Sequence, residues 1–167
     1  FKQEILIDSG FIPFEDFSSY GNLFAALNAD TRNRVSFPTK GIKATLKAEY
    51  VMPFSKNWTQ ELFSNSAIVS LKYDQNIPLA KRFTLQPGIF AGAVLNSTGS
   101  PPIQHLFGLG GLTQDNYIES YVPFSGLHFI EDFGYYSLVG RLKLQCNVYK
   151  KIYFNLRADA GGIENTT

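Results

Sequence analysis

The sequence predicts an all-β fold: an antiparallel transmembrane β-barrel, represented here by about six to seven strands of a larger barrel. Three observations predict it. Five runs of strict two-residue alternation each approach or exceed the about 9–11 residues that a tilted strand needs to cross a bilayer. Each run carries its charges on one face and keeps the other face apolar. The connections between runs alternate between short and long.

The elements follow in chain order. A stretch at 4–9 is expected to add a strand, and a weaker alternation covers 22–30. The clearest run is 41–51, where Ile42, Ala44, Leu46, Ala48 and Tyr50 oppose Lys43, Thr45, Lys47 and Glu49. Successive strand side chains point to opposite faces, so this is a two-faced strand. Over 66–74, Ala67, Val69, Leu71 and Tyr73 oppose Ile68, Ser70, Lys72 and Asp74. Over 82–96, Phe83, Leu85, Pro87, Ile89, Ala91, Ala93 and Leu95 oppose a face with Arg82, Thr84, Gln86, Gly88 and Gly92. Over 137–148, Leu138, Leu142, Leu144, Cys146 and Val148 oppose Arg141, Lys143, Gln145 and Asn147. Over 151–161, Ile152, Phe154, Leu156, Ala158 and Ala160 oppose Tyr153, Asn155, Arg157 and Asp159.

A soluble sandwich or lipocalin-like barrel also alternates, but strands of globular proteins are usually about 5–6 residues long. Here the charges stand mid-strand, too central for a solvent rim. A lipid-facing outside and a wet interior fit them directly. The expected lumen-facing charges are Lys43, Lys47, Glu49, Lys72, Asp74, Arg82, Arg141, Lys143, Arg157 and Asp159. Their mixed sign suits pairing inside a wet lumen.

Composition narrows the field. The chain is 44% hydrophobic and 15% aromatic, and its mean hydropathy is −0.08. No apolar stretch reaches the about 20 residues of a transmembrane helix. Tyr50, Phe54, Trp58, Tyr73, Phe83, Tyr135, Tyr136, Tyr149 and Tyr153 sit near expected strand ends, where interfacial girdles would place them. A formal charge of +1 without clusters gives no nucleic-acid footprint. The single cysteine excludes an internal disulfide. It falls on the lipid face as a small hydrophobe. The opening Phe1-Lys2-Gln3-Glu4 has no signal-peptide pattern, so the start is expected to be mature or truncated.

Connection lengths set the expected topology. Residues 32–40, 76–81 and 149–150 are short turns, assigned to the periplasmic side. Residues 53–65 and 97–134 face outward. The second of these is long and holds Leu106, Phe107, Leu109, Leu112, Phe124, Leu127 and Phe129, more apolar surface than a solvated loop requires. It is expected to be ordered, tucked into the barrel mouth as a plug.

Several of these residues carry a family resemblance. Phe37-Pro38-Thr39-Lys40-Gly41, opening a long alternating strand, resembles the turn of the BamA-type outer-membrane barrel superfamily, also called the bacterial surface antigen family. Phe107-Gly108-Leu109-Gly110-Gly111 resembles the segment that precedes that family's lumen loop. The ordered set covers about 35–162. The resemblance implies a bacterial outer-membrane location, a barrel of about sixteen strands, and functional motifs at Phe37, Pro38, Thr39 and Gly41 and at Phe107, Gly110, Gly111, Pro123, Phe124 and Gly126. Assembly and secretion members carry Arg-Gly-Phe/Tyr on the loop. Here Leu112-Thr113-Gln114-Asp115-Asn116-Tyr117 stands instead. Pro123-Phe124-Ser125-Gly126-Leu127 looks more like the barrels that follow patatin-like phospholipase domains of Bacteroidetes. The chain is expected to be the middle and later strands of such a barrel.

Catalytic chemistry is sparse. No G-x-S-x-G elbow is present, so the chain itself is expected not to be an enzyme. Asp159-Ala160-Gly161-Gly162 reads as a strand end. No Cys or carboxylate stands at metal-ligand spacing from His105 or His128 in the sequence, and Glu131-Asp132 reads as a solvated pair. No phosphate loop surrounds Gly108, Gly110 and Gly111, and no cofactor is implied. Gly88 and Gly92 either admit the long loop against the wall or serve strand curvature. The expected partners are membrane lipid and an upstream lipase or POTRA domain in the full-length protein, with a homodimer left open and nucleic acid excluded. Three functions compete: a barrel that anchors or translocates an attached patatin-like domain, an assembly or secretion barrel, and a passive channel.

Overall fold

The alternating runs become six long strands of one antiparallel sheet. The computed structural model describes residues 4–7, 10–13, 20–53, 65–96, 105–111, 120–128 and 131–165. In chain order the strands are β1 (Glu4–Ile7), β2 (Gly10–Pro13), β3 (Tyr20–Asp30), β4 (Gly41–Pro53), β5 (Ser66–Ala80), β6 (Phe83–Asn96), β7 (Phe107–Gly110), β8 (Tyr121–Pro123), β9 (Asp132–Gly134), β10 (Tyr136–Tyr149) and β11 (Ile152–Glu164). The large sheet runs β11-β10-β6-β5-β4-β3. Its strands are 11 to 15 residues long, at or beyond the upper end of the about 9–11 that a bilayer requires. The sheet is open, with β3 and β11 as its edges. An unpaired edge in hydrocarbon costs several kcal/mol per polar group, so each edge must find a further strand in the membrane. The fold is a partial antiparallel β-barrel.

Exposure is inverted relative to a water-soluble protein. Leu46, Val69, Leu71, Ile89, Leu138, Leu142, Phe154 and Leu156 are exposed large apolar side chains on one face. Asn76, Thr84, Ser137 and Gln145 are buried polar ones on the other. Register keeps each face continuous: Leu46 pairs with Leu27 and Leu71, and Leu144 with Leu85 and Leu156. Water would penalise that apolar band, whereas lipid accepts it. Among the described residues no helix is long and apolar enough to cross a membrane. Cys146 is a half-buried free thiol on the apolar face.

Several boundaries move from their expected places. The stretch expected as one strand at 4–9 is the first arm of a hairpin, with Ile7 opposite Gly10. The connection expected at 76–81 shrinks to Lys81 and Arg82, because β5 continues to Ala80. β4 ends at Gly41, opposite Asn76, so beyond that point β5 pairs only with β6. Pro78 is tolerated there because an edge segment needs no donor on its open side. Arg82, expected on the lumen wall, therefore sits exposed in the hairpin turn. Its carbonyl accepts a bond from the Asn147 amide at 2.8 Å. The last turn lies at Lys150 and Lys151, one residue later than expected. Lys150 adopts φ 45°, as two-residue hairpins require.

The aromatic girdle also needs revision. Tyr50 and Tyr136 lie exposed on the apolar face near one end, and Phe83 and Phe154 near the other. Tyr153 instead points inward and stacks on Phe37, with ring centroids 4.2 Å apart. Tyr135 packs against the cluster of Val51, Ile68, Val94 and Phe107. Phe54 and Trp58 lie outside the described residues.

Candidate functional site

The inner face of the sheet carries a second, smaller sheet made by the long connection. β7 pairs with β8 in parallel and with β9 antiparallel. All four residues of β7 are buried, a consequence of the Phe-Gly-Leu-Gly sequence: two apolar side chains alternate with two positions that have none. The Phe107 ring meets Phe90 edge-on at 5.7 Å and fills the space above Gly92. Leu109 joins Val122 and Val139, with Phe124 and Leu127 packed against them. Leu112, Phe129 and the stretch 112–117 lie outside the described residues.

The two inner-face glycines separate. A side chain at Gly92 would overlap the Phe107 ring, so Gly92 admits the loop. Gly88 faces the Asp74 carboxylate instead, whose Oδ1 lies 2.6 Å from where a Cβ would stand. Gly92→Val is expected to expel the Phe107 ring and destabilise the barrel by about 1–3 kcal/mol, the usual cost of overpacking. Equilibrium unfolding in urea with lipid vesicles measures it. Gly88→Ala is expected to cost less, since a carboxylate tip can move aside.

A polar latch holds the loop to β10 and β11. Asp159 is the pivot, with a fully buried side chain. Its Oδ1 accepts bonds from Arg141 Nε at 3.1 Å and Arg157 Nε at 3.0 Å. Its Oδ2 accepts the Ser125 amide at 2.9 Å and the Ser125 hydroxyl at 2.6 Å. Each arginine also reaches the Pro123 carbonyl, Arg141 Nη2 at 2.9 Å and Arg157 Nη2 at 2.7 Å. The loop thus brings a carbonyl, an amide and a hydroxyl, and the wall brings all three charges. Charge-assisted bonds of this kind are stronger than neutral ones. Phe124 donates its amide to the Gly110 carbonyl at 2.9 Å, tying the Pro123–Gly126 turn back to β7. Gly126 takes φ 96°, which its lack of a Cβ permits. Gly111 closes β7, its amide bonded to the His128 carbonyl at 2.8 Å.

The charged wall is ordered across the strands. One register row reads Asp30, Lys43, Asp74, Gly88, Arg141, Asp159 from β3 to β11. Sign alternates wherever charges neighbour each other. Directly opposed unlike charges stabilise a sheet by about 0.2–1 kcal/mol per pair. Lys47 and Glu49 form a separate ion pair on β4, and the Lys47 ammonium lies over the Phe24 ring at 5.4 Å. Lys72 and Lys143 stand on the same inner face, Lys143 between Gln86 and Arg157 in register. Glu131 caps the His128 amide, and Asp132 accepts its neighbour's amide. Among the described residues no group of three metal-ligating side chains converges.

The Phe37-Pro38-Thr39 turn is the other structured feature of the inner face. Asn33 organises it: its Oδ1 accepts the Thr39 and Lys40 amides at 3.0 and 3.2 Å, and its Nδ2 donates to Thr39 Oγ1 at 2.8 Å. Gly41 takes φ 107°, and a Cβ there would run into the Thr31 carbonyl. The sequence assigned no role to Ser125, Gln86 or Gln145. The signal for the two glutamines was amide side chains on a face otherwise read only for charge; Ser125 lies on the loop and gave none.

An inverted exposure pattern, long antiparallel strands and a loop latched to a charged inner wall define part of a membrane β-barrel with a loop docked on its inner face. A family model described as the OMP85 superfamily matches residues 8–167. The chain belongs to that superfamily, which is the BamA-type group whose turn and loop motifs it resembles. It is an outer-membrane barrel of the kind that serves protein assembly and secretion. No curated protein and no solved structure matched it.

Proposed function

We propose that the barrel anchors or translocates an attached patatin-like phospholipase domain. The chain supplies the membrane wall and its plug and performs no catalysis itself. The observation that supports this reading is the placement of Pro123–Leu127. That segment carries the likeness to patatin-associated barrels, and it is the part of the loop seated on Arg141, Arg157 and Asp159. Charge for the latch comes from the wall, so the loop can dock without the arginine that assembly and secretion members place on it. The apolar face binds membrane lipid throughout.

A second reading is an assembly or secretion barrel without a lipase, favoured by superfamily membership alone. The full-length gene product separates the two. A serine-reactive fluorophosphonate probe is expected to label the protein purified from outer membranes, and the sequence before Phe1 is expected to hold a G-x-S-x-G elbow. POTRA repeats with no labelling would move the chain to the second reading.

A further inference from the structure

The turn between β3 and β4 does not continue along the wall. β4 ends at Gly41 opposite Asn76, while β5 and β6 stay paired as far as Ala80 and Phe83. The wall therefore extends past the level at which the turn leaves it, and the turn leans inward. It crosses the inner face. The Pro38 carbonyl accepts a bond from Gln86 Nε2 of β6 at 2.9 Å and one from Gln145 Nε2 of β10 at 3.5 Å. Phe37 goes further and lies flat on Tyr153 of β11, with an interplanar angle of 6°. Asn76, Thr84 and Gln145 are buried at this end of the inner face. Phe37 holds φ 51°, a conformation that a non-glycine residue rarely adopts. Such backbone persists where the surroundings enforce it and marks sites that do something.

We propose that this turn is a strap that closes the turn-side mouth of the lumen and opens by release of Phe37 from Tyr153. It is a second constriction, separate from the long loop, whose Phe107 packs with Val51, Ile68 and Val94 toward the other strand ends. The two closures differ in strength. The loop is held by a buried carboxylate between two arginines and by a three-stranded sheet. Among the described residues the strap is held to β6, β10 and β11 by one ring stack and two side-chain bonds to one carbonyl. Among the described residues no β-ladder joins it to β6, β10 or β11. Segments with few buried contacts open first, so the strap yields before the loop does.

The test is conductance of the full-length protein in planar lipid bilayers. Phe37→Ala and Tyr153→Ala are each expected to raise the time-averaged conductance several-fold. The double variant is expected to conduct no more than either single one, because both remove the same contact. Phe37→Tyr keeps the stack and is expected to match the wild type. Heat-modifiable migration on gels verifies that each barrel is folded. Should Phe37→Ala fail to fold, Tyr153→Ala against Tyr153→Phe carries the same comparison. Folded single variants that conduct like the wild type would overturn the proposal, as would a double variant that conducts well beyond both.

Discussion

Asp159→Ala is expected to detach the Pro123–Gly126 turn from the wall and to cost about 3–5 kcal/mol, the range for removing one partner of a buried ion pair. The reason is asymmetry. Asp159 is the only carboxylate in contact with Arg141, Arg157 and Ser125 among the described residues. Without it two guanidinium groups face each other, and the Ser125 amide and hydroxyl lose their acceptor together. Arg157→Gln is expected to cost less, because the Arg141–Asp159 pair survives. Arg141→Gln should behave alike, and the double arginine variant should depart from additivity, as residues sharing one network do. Limited proteolysis of the full-length protein in outer membranes reads the detachment as faster cleavage within 105–134. Urea unfolding in vesicles reads the stability. Wild-type protection in Asp159→Ala would show that the apolar packing of Phe107 and Leu109 holds the loop alone.

Leu142→Arg is expected to destabilise the barrel by about 2–4 kcal/mol, the cost of a cation near the bilayer midplane. Leu142 is exposed at mid-strand on the apolar face, between Pro87 and Ala158. Its neighbour on the other face tells the opposite story: Lys143 already carries a cation there. Thr45→Arg, on the inner face beside Lys72 in register, is expected to cost far less, since the lumen hydrates the charge. Folding equilibria of both variants in lipid vesicles make the comparison. Equal costs would deny that the two faces meet different solvents.

Much of this fold was legible because barrel strands state their environment twice, once in alternation and once in the charge-free face. The run from Ile42 to Tyr50 was readable on both counts, and register places its apolar set against Leu27 and Leu71. The lower part of β5 was not. Between Gln75 and Ala80 the alternation dissolves into Asn-Ile-Pro-Leu, and only the one-sided pairing with β6 explains why a proline continues a strand there. Arg82 was misplaced for the same reason. Arg141, Arg157 and Asp159 could be assigned to the lumen face from parity alone. Their shared latch could not be read, because it depends on a carbonyl and an amide contributed by a loop with no periodicity. The Phe37–Tyr153 stack was equally hidden: it joins a turn to a strand more than a hundred residues later. Tyr153 was placed among the girdle residues although its parity already put it on the charged face; what could not be read was its partner, Phe37.

The most direct test of the account is a solvent-accessibility scan along β10 in the full-length protein reconstituted in lipid. Spin labels placed one at a time from 141 to 146, with Cys146 replaced by serine for the other sites, report collisions with lipid-soluble oxygen and with a water-soluble relaxation agent. High oxygen collision at 142, 144 and 146, alternating with oxygen-poor positions at 141, 143 and 145, is the predicted result. Uniform accessibility to the aqueous agent, or the opposite phase, would contradict a sheet whose apolar face meets lipid and whose charged face lines the lumen.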